Sequence, residues 1–166
     1  MAKVLFVTSQ DIKKKTFMSG NVDQDKFKQF VFIAQEVRVR NYLGTDLYNK
    51  IASELLAGTI SGGYATILND FIKPMVIHFA MEEYLPFAPY SLSNGGVYKH
   101  TSENSQLADK SEIDLLVAKH NKLATYYADM FIRYMAFHSN DFPEYNSNTN
   151  EDIVPDKDAT FNGWVI

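Results

Sequence analysis

Residues 40–51 read RNYLGTDLYNKI. An apolar-patterned segment runs up to Leu43, stops at Gly44, and a second begins at once with Thr45. Glycine after the last helical residue can take the left-handed conformation that closes a helix, without the Cβ penalty of other residues. Thr45 can then cap the next helix by accepting from a free backbone N–H, and Asp46 is favourable beside the positive helix end. The stretch therefore reads as a tight corner between two helices, built from Leu43, Gly44, Thr45 and Asp46.

Working outward, Phe27, Phe30, Val31, Ala34 and Val37 recur at helical spacing, which predicts one long helix from about Asp23 to Leu43, with Ile33 and Val39 off the stripe. On the other side of the corner, Leu47, Ile51 and Leu55 face inward on a helix that Gly58 ends. Upstream, TSQDIKKK (8–15) predicts a short helix capped by Thr8 or Ser9, its lysines a solvated face. Downstream, a third helix from near Tyr64 contains Pro74, which should kink or split it about one turn earlier. Residues 90–101, YSLSNGGVYKHT, alternate around Asn94-Gly95, a strong short-range hairpin signal. The last helix runs from near Ser111 to Phe137, lined by Leu115, Leu116, Lys119, Leu123, Tyr126, Tyr127, Met130, Phe131, Tyr134 and Met135.

After His138 the composition shifts. Residues 139–166 hold six acids and one lysine among many Asn, Ser and Thr, yet close on Phe161, Trp164, Val165 and Ile166. Such an arm with an apolar tip is suited to docking, in cis or on a partner. The expected fold is all-α, an antiparallel helical bundle (1–138) with a small projecting β-hairpin at about 90–101 and an extended acidic arm (139–166).

The totals narrow the functional classes. With 166 residues and 46% hydrophobic content the chain can bury one sizeable core. It has no cysteine, which excludes disulfides, thiolate metal sites and a cysteine nucleophile. The start offers only a four-residue apolar run, too short for a signal-peptide core, and no stretch reads as a membrane span, so a cytoplasmic origin is expected. Residues 1–50 carry nine basic against five acidic residues, and 51–166 carry seven against fifteen, for a net charge of −4. An acidic chain is poorly suited to gripping DNA.

No motif asks for catalysis. GTISGG lacks the Lys and Ser/Thr of a phosphate loop, and no G-x-S-x-G is present. The best-spaced metal candidate is His78 with Glu82, but a carboxylate-bridged bundle needs Glu-x-x-His motifs, and the chain has none. His78 reads as a packed or polar histidine. Asp23/Asp25, Asn150/Asp152 and Asp156/Asp158 lack the Gly and Glu of a calcium loop and read as solvated acids. No cofactor is expected. Tyr90, Leu92, Asn94, Gly95, Val97 and Tyr98 of the hairpin, with Phe161, Trp164, Val165 and Ile166 of the tip, are the expected interface residues.

The succession AQEVRVRNYLGTDLY, LLAGT, IKPMVIHFAMEEYLPF, SNGGVYKHTSENS and YYADMFIRYM, over about residues 5–145, resembles the head–tail connector proteins of tailed bacteriophages, closest to those of crAss-like and other Bacteroides-infecting phages. The resemblance implies an all-helical core and a ring of about twelve copies under the portal vertex. It further implies a virion neck location, contacts with the portal protein and the next neck ring, and a channel through which DNA slides. The rival readings are a helical interaction module without a virion role and, from another class, a metal-dependent enzyme around His78 and Glu82.

Overall fold

The computed structural model describes residues 4–17, 24–94, 96–99 and 108–159. The fold is all-α. Helix α1 (Ser9–Lys15) is held by a capping box: the Thr8 side chain accepts from Asp11 N, and the Asp11 carboxylate accepts from Thr8 N. The long helix expected up to Leu43 is instead α2 (Gln24–Ile33), a π-type segment (Ala34–Val39) and the start of α3 (Arg40–Ala57). A π segment widens the turn and rotates the faces that follow. Val39 is accordingly fully buried, whereas Val37, on the expected inward stripe, is 58% exposed.

The gain from that rotation is local. Gln35 lies at the core, where its Oε1 accepts from Phe6 N and its Nε2 donates to Val4 O and to the Tyr48 hydroxyl. The incoming segment is thus tied down by a side-chain amide, which satisfies backbone groups that burial would otherwise leave costly. Tyr48 in turn donates to Glu36, and burial followed by that bond raises its phenol above the ordinary tyrosine range.

The interruption expected before Pro74 takes the same form. Helix α4 (Gly62–Ile67) passes through a π segment (Leu68–Ile72) into α5 (Lys73–Tyr84), with Pro74 in the first turn of α5. A proline there breaks no obligatory bond of its own helix. Residues 74–81 are all buried and apolar apart from His78, so this stretch of α5 is the centre of the bundle, with Lys73, Glu82 and Glu83 at its ends. Burial of each large apolar side chain such as Met75, Ile77 or Phe79 stabilises the fold by about 1.5–3 kcal/mol.

Helix α2 lies antiparallel to α5: Phe27 and Phe30 pack edge-on to Tyr84, while Arg38 sits 4.3 Å over the Phe79 ring. Helix α6 (Lys110–His138) covers another side of α5, also antiparallel, with Phe71 against Phe131 and Tyr134, and Glu82 accepting from Asn121. Asp109 and Glu112 form the capping box that starts α6. Strands β1 (Tyr90–Ser93) and β2 (Gly96–Lys99) pair antiparallel, Tyr90 opposite Lys99 and Ser93 opposite Gly96. The segment after α6 folds back in two short 3₁₀ turns (139–141 and 143–145), which place Phe142 and Tyr145 in the core at 1% and 2% exposure.

Candidate functional site

Gly44 breaks the helix with φ 72° and ψ 162°. The positive φ meets the expectation, but ψ does not: this is the extended, glycine-only region rather than the left-handed helical one. An extended residue redirects the chain and exposes the last carbonyls of one helix and the first amides of the next. Asn41 O accepts from Asp156 N at 2.8 Å, and Thr45 N donates to Ile153 O at 3.0 Å. The corner is therefore filled by the chain's own residues 147–156.

The side chains follow. A Cβ on Gly44 would lie 2.6 Å from Pro155 Cδ, so the proline ring occupies the space that glycine leaves. Thr45, expected to cap the next helix, instead accepts from the Arg40 guanidinium. The same guanidinium reaches Asp152 at 3.6 Å and Glu36 at 3.3 Å. Asp46 supplies the capping chemistry in trans along the chain: its carboxylate accepts from Ser147 Oγ at 2.7 Å and from Thr149 N and Oγ1 at 2.9 Å. Those bonds, Ser147 first, hold Asp46 below the usual carboxylate range. Leu43 is fully buried beneath the corner.

A second polar constellation joins α5 to α6. His78 and His120, at 8% and 7% exposure, face each other Nδ1 to Nδ1 at 3.0 Å. Tyr127 stacks on His78 at 5.9 Å. Burial, then the neighbouring His120, pushes His78 down to about 4, and burial followed by Lys119 lowers His120. Both rings are thus neutral near pH 7, one donating and one accepting. Glu82, the expected companion of His78, is engaged by Asn121 and by Arg38 at 3.6 Å. Among the described residues no group of three or more His, Cys, Asp or Glu is arranged to hold a metal ion.

Of the expected interface residues, Tyr90 is 48% exposed, Val97 68%, and Asn94 is exposed. Leu92 and Tyr98 are placed by strand register, opposite Val97 and Ser91. Gly95, Phe161, Trp164, Val165 and Ile166 lie outside the described residues. The stripe foreseen on α6 divides: Phe131 and Met135 are buried, Leu116, Tyr127 and Tyr134 half-buried, and Leu115, Lys119, Leu123, Tyr126 and Met130 exposed, while outside it Ile132 is buried with His120, Ala124 and Ala128 and Phe137 is exposed. Sequence reasoning missed the Pro155 fit, the Asp46 bonds and the His78–His120 pair. Pro155 and the serine, threonine and asparagine run at 147–150 were the available signals for the first two; the histidine pair had none, since its members are 42 residues apart.

Fold and site together define an all-α protein in which a glycine corner is closed by a downstream segment. The chain belongs to a family of unknown function (DUF6712), which matches residues 39–153. The matched span begins just before the corner and ends at Ile153, which bonds back to it. No curated protein and no solved structure matches the chain. No described helix is long and apolar enough to cross a membrane.

Proposed function

We propose that this chain is a structural virion protein, a head–tail connector that forms a ring between the portal vertex and the rest of the neck, around the DNA channel. The observation that carries the reading is the pairing of a tightly closed helical body with large apolar side chains left in solvent. Tyr90 and Val97 on the hairpin, Phe87 beside it, and the outer residues of α6 are exposed. Aromatic and apolar side chains on a firm scaffold suit contacts completed on assembly. The resemblance of residues 5–145 to phage connectors supplies the setting, and the net charge of −4 suits a channel that lets DNA slide.

In this reading mechanism is geometry. The α5-centred body sets the subunit shape, the hairpin and the C-terminal residues meet the portal protein and the next neck ring, and no cofactor or bond-making step takes part. Native mass spectrometry of the chain mixed with the portal ring encoded by the same genome tests it. Discrete addition of about twelve chains per portal is the expected result. Absence of binding at micromolar concentration overturns the connector reading.

A further inference from the structure

The exposed positions of α6 between Leu115 and Phe137 are Leu115, Ala118, Lys119, Lys122, Leu123, Tyr126, Met130, Arg133, Ala136 and Phe137. None is acidic, and three are basic, in a chain whose net charge is −4. At helical spacing Leu115, Lys119, Lys122, Tyr126, Met130, Arg133 and Phe137 fall on one side, a stripe roughly 33 Å long. Phe137 is 87% exposed and Leu115 70%. Lys119, Lys122 and Arg133 form no ion pair among the described residues. The face is both apolar and uncompensated in charge.

The same chain carries the opposite pattern elsewhere. Residues 151–158 ride on the Gly44 corner, with Glu151, Asp152, Asp156 and Asp158 exposed around Val154, itself 60% exposed. Lys157 is the one exposed base of this strip and Arg40 stands 3.6 Å from Asp152, which leaves a net acidic strip around an apolar residue, where the α6 face has apolar residues flanked by bases. The two patches are separate: one is the outward side of α6, the other is fastened to the Gly44 corner inside α3. Complementary patches on different parts of one molecule make a head-to-tail contact, which each added copy can repeat.

We infer that the outward face of α6 is covered by a second copy of this chain, through the acidic segment 151–158 of that copy. The inference rests on the ring reading above and names the subunit contact within it. Lys119, Lys122 and Arg133 align the acidic strip, and Tyr126 and Met130 receive Val154.

Sedimentation velocity of the full chain up to about 200 µM tests it. Self-association is expected at low salt and should weaken in about 0.5 M salt, where surface pairs are screened. The double variant Lys119→Glu/Arg133→Glu should weaken association about tenfold or more, and combining it with Glu151→Lys/Asp158→Lys should restore it. All four positions are exposed, so circular dichroism should show unchanged helix content. A monomer at every concentration overturns the inference. Association untouched by the charge reversals also overturns it, as does weakening without rescue, which removes 151–158 as the occupant. A portal-bound ring of unchanged size formed by the Lys119→Glu/Arg133→Glu variant would discard this contact while leaving the connector reading in place.

Discussion

The Gly44 corner and the outer face of α6 are opposite solutions to one problem, how to finish a helical surface. At the corner the two helix ends are joined in cis: Asp156 and Ile153 bond Asn41 O and Thr45 N, Pro155 fills the glycine, and Asp46 gathers three donors from residues 147 and 149. On α6 the outward apolar residues and their three bases are left to solvent. Buried polar backbone cannot stay unpaired, so the corner had to be closed within the chain. Exposed side chains carry no such penalty, so a helix face can wait for a partner.

Substitutions can break that contrast. Phe142→Ala removes the ring that anchors the returning segment to the core, and should cost about 3–5 kcal/mol in urea unfolding. A loss below about 1 kcal/mol would mean that the segment after α6 contributes little to the body. Gly44→Ala adds a Cβ against Pro155 at a backbone angle closed to alanine, and should cost about 3 kcal/mol by the same measurement. Pairing it with Pro155→Ala should recover part of that loss if the proline is the obstacle.

The histidine pair sets a pH dependence. His78 is held at about 4 when folded against an ordinary value of 6.5, so the unfolded chain binds the extra proton between those limits. The contribution of the neutral pair is complete above pH 6.5 and is lost as pH falls toward 4, amounting to roughly 1–2 kcal/mol by pH 5. Urea midpoints measured from pH 7.5 to 4.5 should fall along that window, and His78→Phe should flatten the slope; an unaltered slope would assign the dependence to other groups.

Asp46→Ala strips the acceptors of Ser147 and Thr149 and should lower the urea midpoint by less than Gly44→Ala does. Proteolysis near residue 150 should then quicken, because the clasp opens before the body does. The smallest effect belongs to α6: Tyr126→Ala should change monomer stability by less than about 0.5 kcal/mol, as a solvent-facing residue should. A large loss there would show that the face is covered within the chain.

Much of the local structure was legible because its causes lie within a few residues. The cap at Thr8, the helix end at Gly58, the departure from regular α-helix ahead of Pro74 and the turn at Asn94 each follow from side-chain chemistry at fixed spacing. The long helix through residue 43 was misread at its middle. Periodicity alone cannot show that Gln35 is needed to bond Phe6 and Val4, a demand met by the π segment that turns Val37 outward and Val39 inward. The α6 stripe was recognised as apolar, but its division into a covered and an open half depends on where α5 and the returning segment lie.

Residue order by itself therefore determined where most helices begin and end, and that the chain turns at Gly44, since those outcomes depend on backbone freedom and on nearest neighbours along the chain. Tertiary structure alone decided that Gly44 is extended, that Pro155 rather than solvent fills it, that His78 meets His120, and that the outer side of α6 is left open. These are contacts between residues dozens to more than a hundred positions apart, and their energies depend on which surfaces the packed core brings together, a quantity no local pattern contains.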